Sequence, residues 1–201
     1  MSGERPVLEL SRAEVGAAHA QTLADAFQDD PALAWIVPEP TRRRRMLPQF
    51  FAIMLEQSLR HGKVLSSPEG DAVSLWYPPG VVRDTILAAA WDNLRLTAAF
   101  RTTLPRGLKV AESMHAKHPK PQPHFYLRYI GVAPSAQGKG WGGALIRKGI
   151  SLAQSNGLGI LLETAKESNV SIYTRLGFGV TEEWHVAGGG PKFWTMVRQS
   201  D

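Results

Sequence analysis

The chain has 201 residues, 43% hydrophobic and 20% charged, a balance that excludes a disordered or fibrous protein and fits an ordinary folded one. It contains no cysteine, which excludes disulfides, thiolate nucleophiles and thiolate metal sites and makes a reducing cytoplasm the ordinary expectation. A formal net charge of +5 suits an anionic ligand or nucleic acid without selecting either, and no apolar run is long enough for a membrane span.

The opening MSGERPVLEL has acids and no extended apolar stretch, so it does not read as a signal peptide. Val7, Leu8 and Leu10 predict a short strand. Ser11 stands three residues before Glu14, a capping-box spacing that predicts a helix running to about Phe27. Asp30 ahead of Pro31 predicts an N-cap and a new helical turn. After Thr41 a helix carries Leu47, Phe50, Phe51, Met54 and Leu55 on one side, and Pro48 inside it predicts a kink or a late start. The basic run Arg42 to Arg45 reads first as a solvated helix start. A nucleic-acid surface is its alternative, although no aromatics interleave with it. GKVLSS and DAVSLWY around PEG predict an antiparallel hairpin stopped by PPG at 78–80. Helical patterns follow at about 84–100 and 105–118, then HPKPQPH at 118–124 predicts an extended connection.

From there the character changes. FYLRYIGV (125–132) is aromatic and β-branched and predicts a strand; a glycine-rich loop and a helix to about Asn156 follow. GILLET predicts a buried strand. NVSIYTRL predicts a short helix closed by Gly177, and FGVTEEWHV and KFWTMVR predict two more strands joined through GGGP. Mixed strands and helices with a late βαβ unit predict an α/β or α+β fold.

The loop AQGKGWGGAL reads in two ways. Gly138, Gly140 and Gly143 spell G-x-G-x-x-G, a dinucleotide fingerprint, with Glu163 twenty residues on where an acid would hold a ribose. Gln137, Gly140 and Gly142 spell Q-x-x-G-x-G. Either way, bare backbone N–H groups at the first turn of a helix make an anion site. The dinucleotide turn is tight, whereas APSAQ separates this loop from its strand. The end of the chain also offers a strand with no crossover helix before it.

In context, YLRYIGVAPSAQGKGWGGALI resembles the acetyl-CoA-binding segment of the GNAT superfamily of N-acetyltransferases, through Val132, Pro134, Gln137, Gly140 and Gly142. LETAKESNVSIYTRLGF is similar to the superfamily's following strand and its Y-x-x-x-G-F block, through Asn169, Tyr173, Gly177 and Phe178. Ile172 stands where an aromatic is usual. AFQDDPALAWIVPEPTRRRRMLPQFF and AVSLWYPPG resemble, more loosely, the puromycin acetyltransferase-like branch. The resemblance implies one domain over 1–201, its mostly antiparallel sheet flanked by helices. Residues 1–120 form a helix-rich acceptor side and 121–201 an acetyl-CoA-binding core.

The resemblance also assigns roles. Ile130, Gly131 and Val132 offer backbone groups to the pantetheine arm. Gln137, Gly138, Lys139, Gly140, Trp141, Gly142 and Gly143 hold the pyrophosphate, and Asn169 sits near the pantetheine or adenine end. Tyr173 protonates the departing thiolate. Glu163 is the first candidate for the base, with His124 and His185 behind it. A cationic amine acceptor is expected near Asp29, Asp30, Trp76 and Tyr77. A small-molecule amine, no metal, no nucleic acid and no membrane are expected, and a homodimer is compatible with the family. A non-catalytic acyl-CoA sensor and a nicotinamide-dependent oxidoreductase stand as alternatives.

Overall fold

A computed structural model describes residues 5–80, 85–117 and 123–200. Its centre is one seven-stranded sheet in the order β1-β2-β3-β4-β5-β7-β6, to which both halves of the chain contribute. The strands are β1 (Leu8–Glu9), β2 (Lys63–Ser66), β3 (Ala72–Tyr77), β4 (His124–Val132), β5 (Gly159–Thr164), β6 (Gly179–His185) and β7 (Lys192–Arg198). Every neighbouring pair is antiparallel except β4 and β5. The helices are α1 (Ala17–Ala26), α2 (Pro31–Ile36), α3 (Pro40–His61), α4 (Ile86–Phe100), α5 (Leu104–Lys117), α6 (Trp141–Gln154) and α7 (Glu167–Thr174). None of the described helices is long and apolar enough to cross a membrane. Of the expected connection at 118–124, residues 118–122 lie outside the described residues.

The two sheet faces bury separate cores, as the period-two alternation of a strand requires. Val64, Val73 and Leu75 pack with α1, α2 and α3 on one face, whereas Leu65, Ala72 and Trp76 pack with α6 on the other. Trp76 is fully buried and stacks on Phe125 with ring centroids 5.2 Å apart. Its indole lies so close under α6 that a Cβ on Gly149 would fall 2.2 Å from Trp76 Cζ2. Only glycine allows that approach.

Local signals act differently from their simplest reading. The Ser11–Glu14 bonds form, with the Ser11 N–H donating to Glu14 Oε2 at 2.8 Å, but they close only a turn. Gly16 is extended, and α1 starts after it at Ala17, where the Gly16 N–H donates to His19 Nδ1. Helix α3 starts at Pro40 and runs through Pro48 for 22 residues. Burial of Leu47, Phe50, Phe51, Met54 and Leu55 offsets the backbone bond that the proline removes.

The basic run is not a uniform solvated face. Arg43 is buried and donates to Gln28 O at 2.6 Å and Val37 O at 2.7 Å, tying the ends of α1 and α2 to α3. Arg42 reaches Phe100 O, while Arg44 and Arg45 are exposed. On α4, buried Asp92 accepts from Gln57 Nε2 and pairs with Arg60, which joins α4 to α3.

Replacing Arg43 by Met leaves the carbonyls of Gln28, Val37 and Pro38 without their charged donor and is expected to cost about 2–4 kcal/mol. In a chain of this size that lowers Tm by about 4–16 °C. Arg44→Ala is expected to stay within about 0.5 kcal/mol. Thermal melts of the two variants side by side check this.

Candidate active site

Strands β4 and β5 pair in parallel from His124↔Gly159 to Leu127↔Leu162 and then part. β5 continues beside β7 through Glu163 and Thr164, while β4 continues beside β3 to Val132. A bulge falls at the same place. Leu75 faces Tyr129 and Trp76 faces Leu127, so Arg128 is the extra residue. Such a bulge re-aims the side chains that follow it. It sets Tyr129 on the α1–α3 face beside Arg128, and beyond Leu127 the β4 edge facing β5 has no strand partner among the described residues.

Past β4, a short 3-10 turn (Pro134–Ala136) leads into the glycine loop. Gly138 and Gly140 have φ of +75° and +82°, the left-handed region in which a side chain is strained. Gly140 is the N-cap of α6 and brings no side chain to cap it. The N–H groups of Trp141, Gly142 and Gly143 are therefore first-turn donors at the positive end of the helix dipole. Gln137 donates to Val132 O at 3.2 Å, Lys139 is exposed, and the Arg5 guanidinium lies 5.1 Å from the Trp141 ring. One parallel strand pair, reached through a 3-10 turn, is not the doubly wound sheet that the dinucleotide reading needs.

On the α1–α3 face a cavity of about 550 Å³ opens at the parting. Glu163 and Thr164 enter from β5, Asn169 and Tyr173 from α7, and Tyr126, Arg128, Tyr129 and Ile130 from β4. Asp30, Leu33, Phe50, Leu104 and Met114 bring the helices to the same space, with His115 on α5. The Tyr173 phenol is buried, and burial with the nearby Asp30 charge pushes its pKa up. Burial and the Glu163 charge likewise push Tyr126 well above an ordinary phenol. Asp30 Oδ1 accepts from the Ala32 and Leu33 N–H groups at 3.0 Å, yet burial still raises its carboxyl pKa.

The cavity thus gathers Glu163, Tyr173, Asn169, Ile130 and Asp30, while residues 137–143 form the separate loop at α6. Gly131 is buried beneath α1, where a Cβ would meet Ala26 Cβ at 2.9 Å, and Val132 packs against the α6 side. Trp76 and Tyr77 do not line the cavity. Trp76 belongs to the core under α6, where its indole N–H donates to Ser74 Oγ. Tyr77 is buried with its hydroxyl 2.9 Å from Ser58 Oγ of α3. Asp29 and His185 are exposed and His124 is half-buried, and all three lie outside the cavity, the histidines in β6 and β4. Sequence reasoning passed over Arg128, Tyr126 and Tyr129. Their one signal was a lone arginine among aromatics in an otherwise apolar strand.

The sequence model of the acetyltransferase (GNAT) family matches residues 86–178, the span that holds the parting strands, the glycine loop and Tyr173. Just under half of the chain thus matches the GNAT acetyltransferase family, and the match supports an acyltransferase. An uncharacterized N-acetyltransferase of Schizosaccharomyces pombe is 28% identical over 171 residues, covering 79% of this chain and 68% of that protein. The crystal structure of histone acetyltransferase HPA2 and related acetyltransferase from Corynebacterium glutamicum is 25% identical. It superposes with a TM-score of 0.70 over 97% of this chain and 96% of the other. Arylalkylamine N-acetyltransferase 2 from Aedes aegypti, 15% identical, shares the fold with a TM-score of 0.58 over 97% and 99% of the two chains.

Asp30 gives a test of the cavity wall. Asp30→Ala is expected to lose about 1 kcal/mol with the helix cap, whereas Asn keeps the accepting oxygen. Because the folded-state pKa of Asp30 is raised, wild type loses this group's contribution as pH rises from about 4, the unfolded Asp value, through the folded one. Asp30→Asn has nothing to titrate there. Urea midpoints at pH 4 and pH 7 are expected to shift in favour of Asp30→Asn at the higher pH.

Proposed function

We propose that the protein moves the acetyl group of acetyl-CoA to a primary amine of a small molecule or peptide, by direct attack in a ternary complex. The observation that carries this reading is the parting of β4 from β5. It leaves an open strand edge that leads to the α6 glycine loop and, on the other face, the cavity with Glu163 and Tyr173.

The residues fit the donor. Its pyrophosphate meets the first-turn N–H groups of α6, and its extended pantetheine arm adds along β4 at Ile130 to Val132 as a strand would. Asn169 stands beside that path. The acceptor amine enters the cavity as an ammonium with a pKa of about 10.4 in water, and Glu163, directly or through a water, takes its proton. The amine nitrogen then bonds to the thioester carbon. A β4 backbone N–H beyond the bulge stabilises the oxyanion. As the C–S bond breaks, Tyr173 gives its proton to the sulfur, and the second proton shed by the attacking nitrogen restores the phenol. Burial keeps that phenol protonated over the working pH range, which suits it to donate.

Acetyl-CoA at a hundred times its Kd is expected to stabilise the protein by about 2.7 kcal/mol, or about 5–11 °C in Tm, with no shift from NAD or NADP. Tyr173→Phe is expected to lower kcat by about 10²–10⁴ with acetyl-CoA affinity unchanged. Glu163→Gln is expected to be slow at pH 7 and to recover toward the amine's own pKa. Acetyl-CoA binding without thiol release across an amine panel would replace this reading with the sensor one.

A further inference from the structure

Arg128 has no part in the chemistry above, yet it lines the cavity. Alternation with Phe125 and Leu127, which pack on the α6 side, sets it on the acceptor face, and the bulge keeps Tyr129 there beside it. Its guanidinium lies over two rings, 5.4 Å from the centre of Tyr77 and 5.7 Å from that of Tyr129. Among the described residues no carboxylate lies within 4.0 Å of it. A guanidinium carries five N–H donors in a planar fork shaped for a carboxylate, and contact with ring faces leaves the edges of that fork unused. Arg128 is half-buried, and holding a cation there without an anion has a cost, so its use is to be sought in what enters the cavity.

The other charges complete the pattern. Asp30 and Glu163 face the same space and suit an ammonium, while Arg128 suits an anion. Between them the wall is aromatic. Phe27, Phe50 and Tyr129 meet edge to face, and Phe100 extends the cluster. We infer that the acceptor is an amino acid-like amine, with a carboxylate that Arg128 binds and an aromatic or bulky apolar body between its two charges. This rests on the acetyl-transfer reading for the amine and on the cavity alone for the carboxylate.

Calorimetry on the full chain separates the two. The probes are 3-phenylpropionate and its uncharged partner 3-phenylpropionamide. Wild type is expected to bind the acid at least about tenfold more tightly, as one charge-assisted fork should. Arg128→Met is expected to erase that preference, and Arg128→Lys to keep part of it, because it keeps the charge without the fork. In turnover, wild type is expected to prefer phenylalanine to phenethylamine by a similar factor, and Arg128→Met to reverse the order while still acetylating phenethylamine. Equal affinity of wild type for acid and amide overturns the inference, as does an undiminished preference in Arg128→Met with wild-type circular dichroism and Tm. If Arg128→Met does not fold, the wild-type comparison and Arg128→Lys decide. Failure to bind acetyl-CoA with the acid preference intact overturns acetyl transfer and leaves the carboxylate site standing.

Discussion

Two parallel strands that stop pairing halfway along the sheet set up the rest of the molecule. A paired β4 and β5 would satisfy each other's backbone and seal the sheet. They part after Leu127 and Leu162, and the bulge at Arg128 falls on the same step. A strand edge left open inside a sheet demands a hydrogen-bonding partner, and an extended ligand arm can supply one. The parting also separates the faces. Unpaired first-turn amides collect at the start of α6, while titratable side chains collect opposite them under the front-half helices.

That division requires α6 and α3 to be held firmly on opposite sides of the sheet. Trp76 does this for α6, with Gly149 giving the helix its close seat on the indole. Arg43 does it for the α1–α3 cluster by donating to carbonyls at the ends of two helices. Asp92 plays a matching part on α4 through Arg60 and Gln57. These buried polar groups act because each has partners; hydrogen bonds to charged groups are worth about 1.5–3 kcal/mol, more than neutral ones. They fix the helix ends that form the cavity wall.

Much of this was legible in the residues. Strand composition, glycine spacing and the Asp30 cap located most elements, because those signals are local and short-range. The glycines of the α6 loop could be named since positive φ and bare amides leave a direct mark on composition. Trp76 and Tyr77 could not be placed, because adjacent strand residues go to opposite faces and the sequence alone did not say which face held the acceptor side. Arg43 looked like any other arginine in a basic run; its burial depends on α1 and α2 carbonyls brought to it by the fold. Arg128 and Tyr129 as neighbours on one face were hidden for a related reason. A bulge shifts the alternation by one, and nothing in FYLRYIGV marks where the shift falls.

Hydrogen exchange measured with and without saturating acetyl-CoA tests the central claim most directly, that the parted β4 edge and the α6 amides form one binding surface. The account predicts slowed exchange in two segments together, 128–132 and 140–144, with α4 unchanged. Acetyl-CoA binding that leaves both segments unprotected would contradict it.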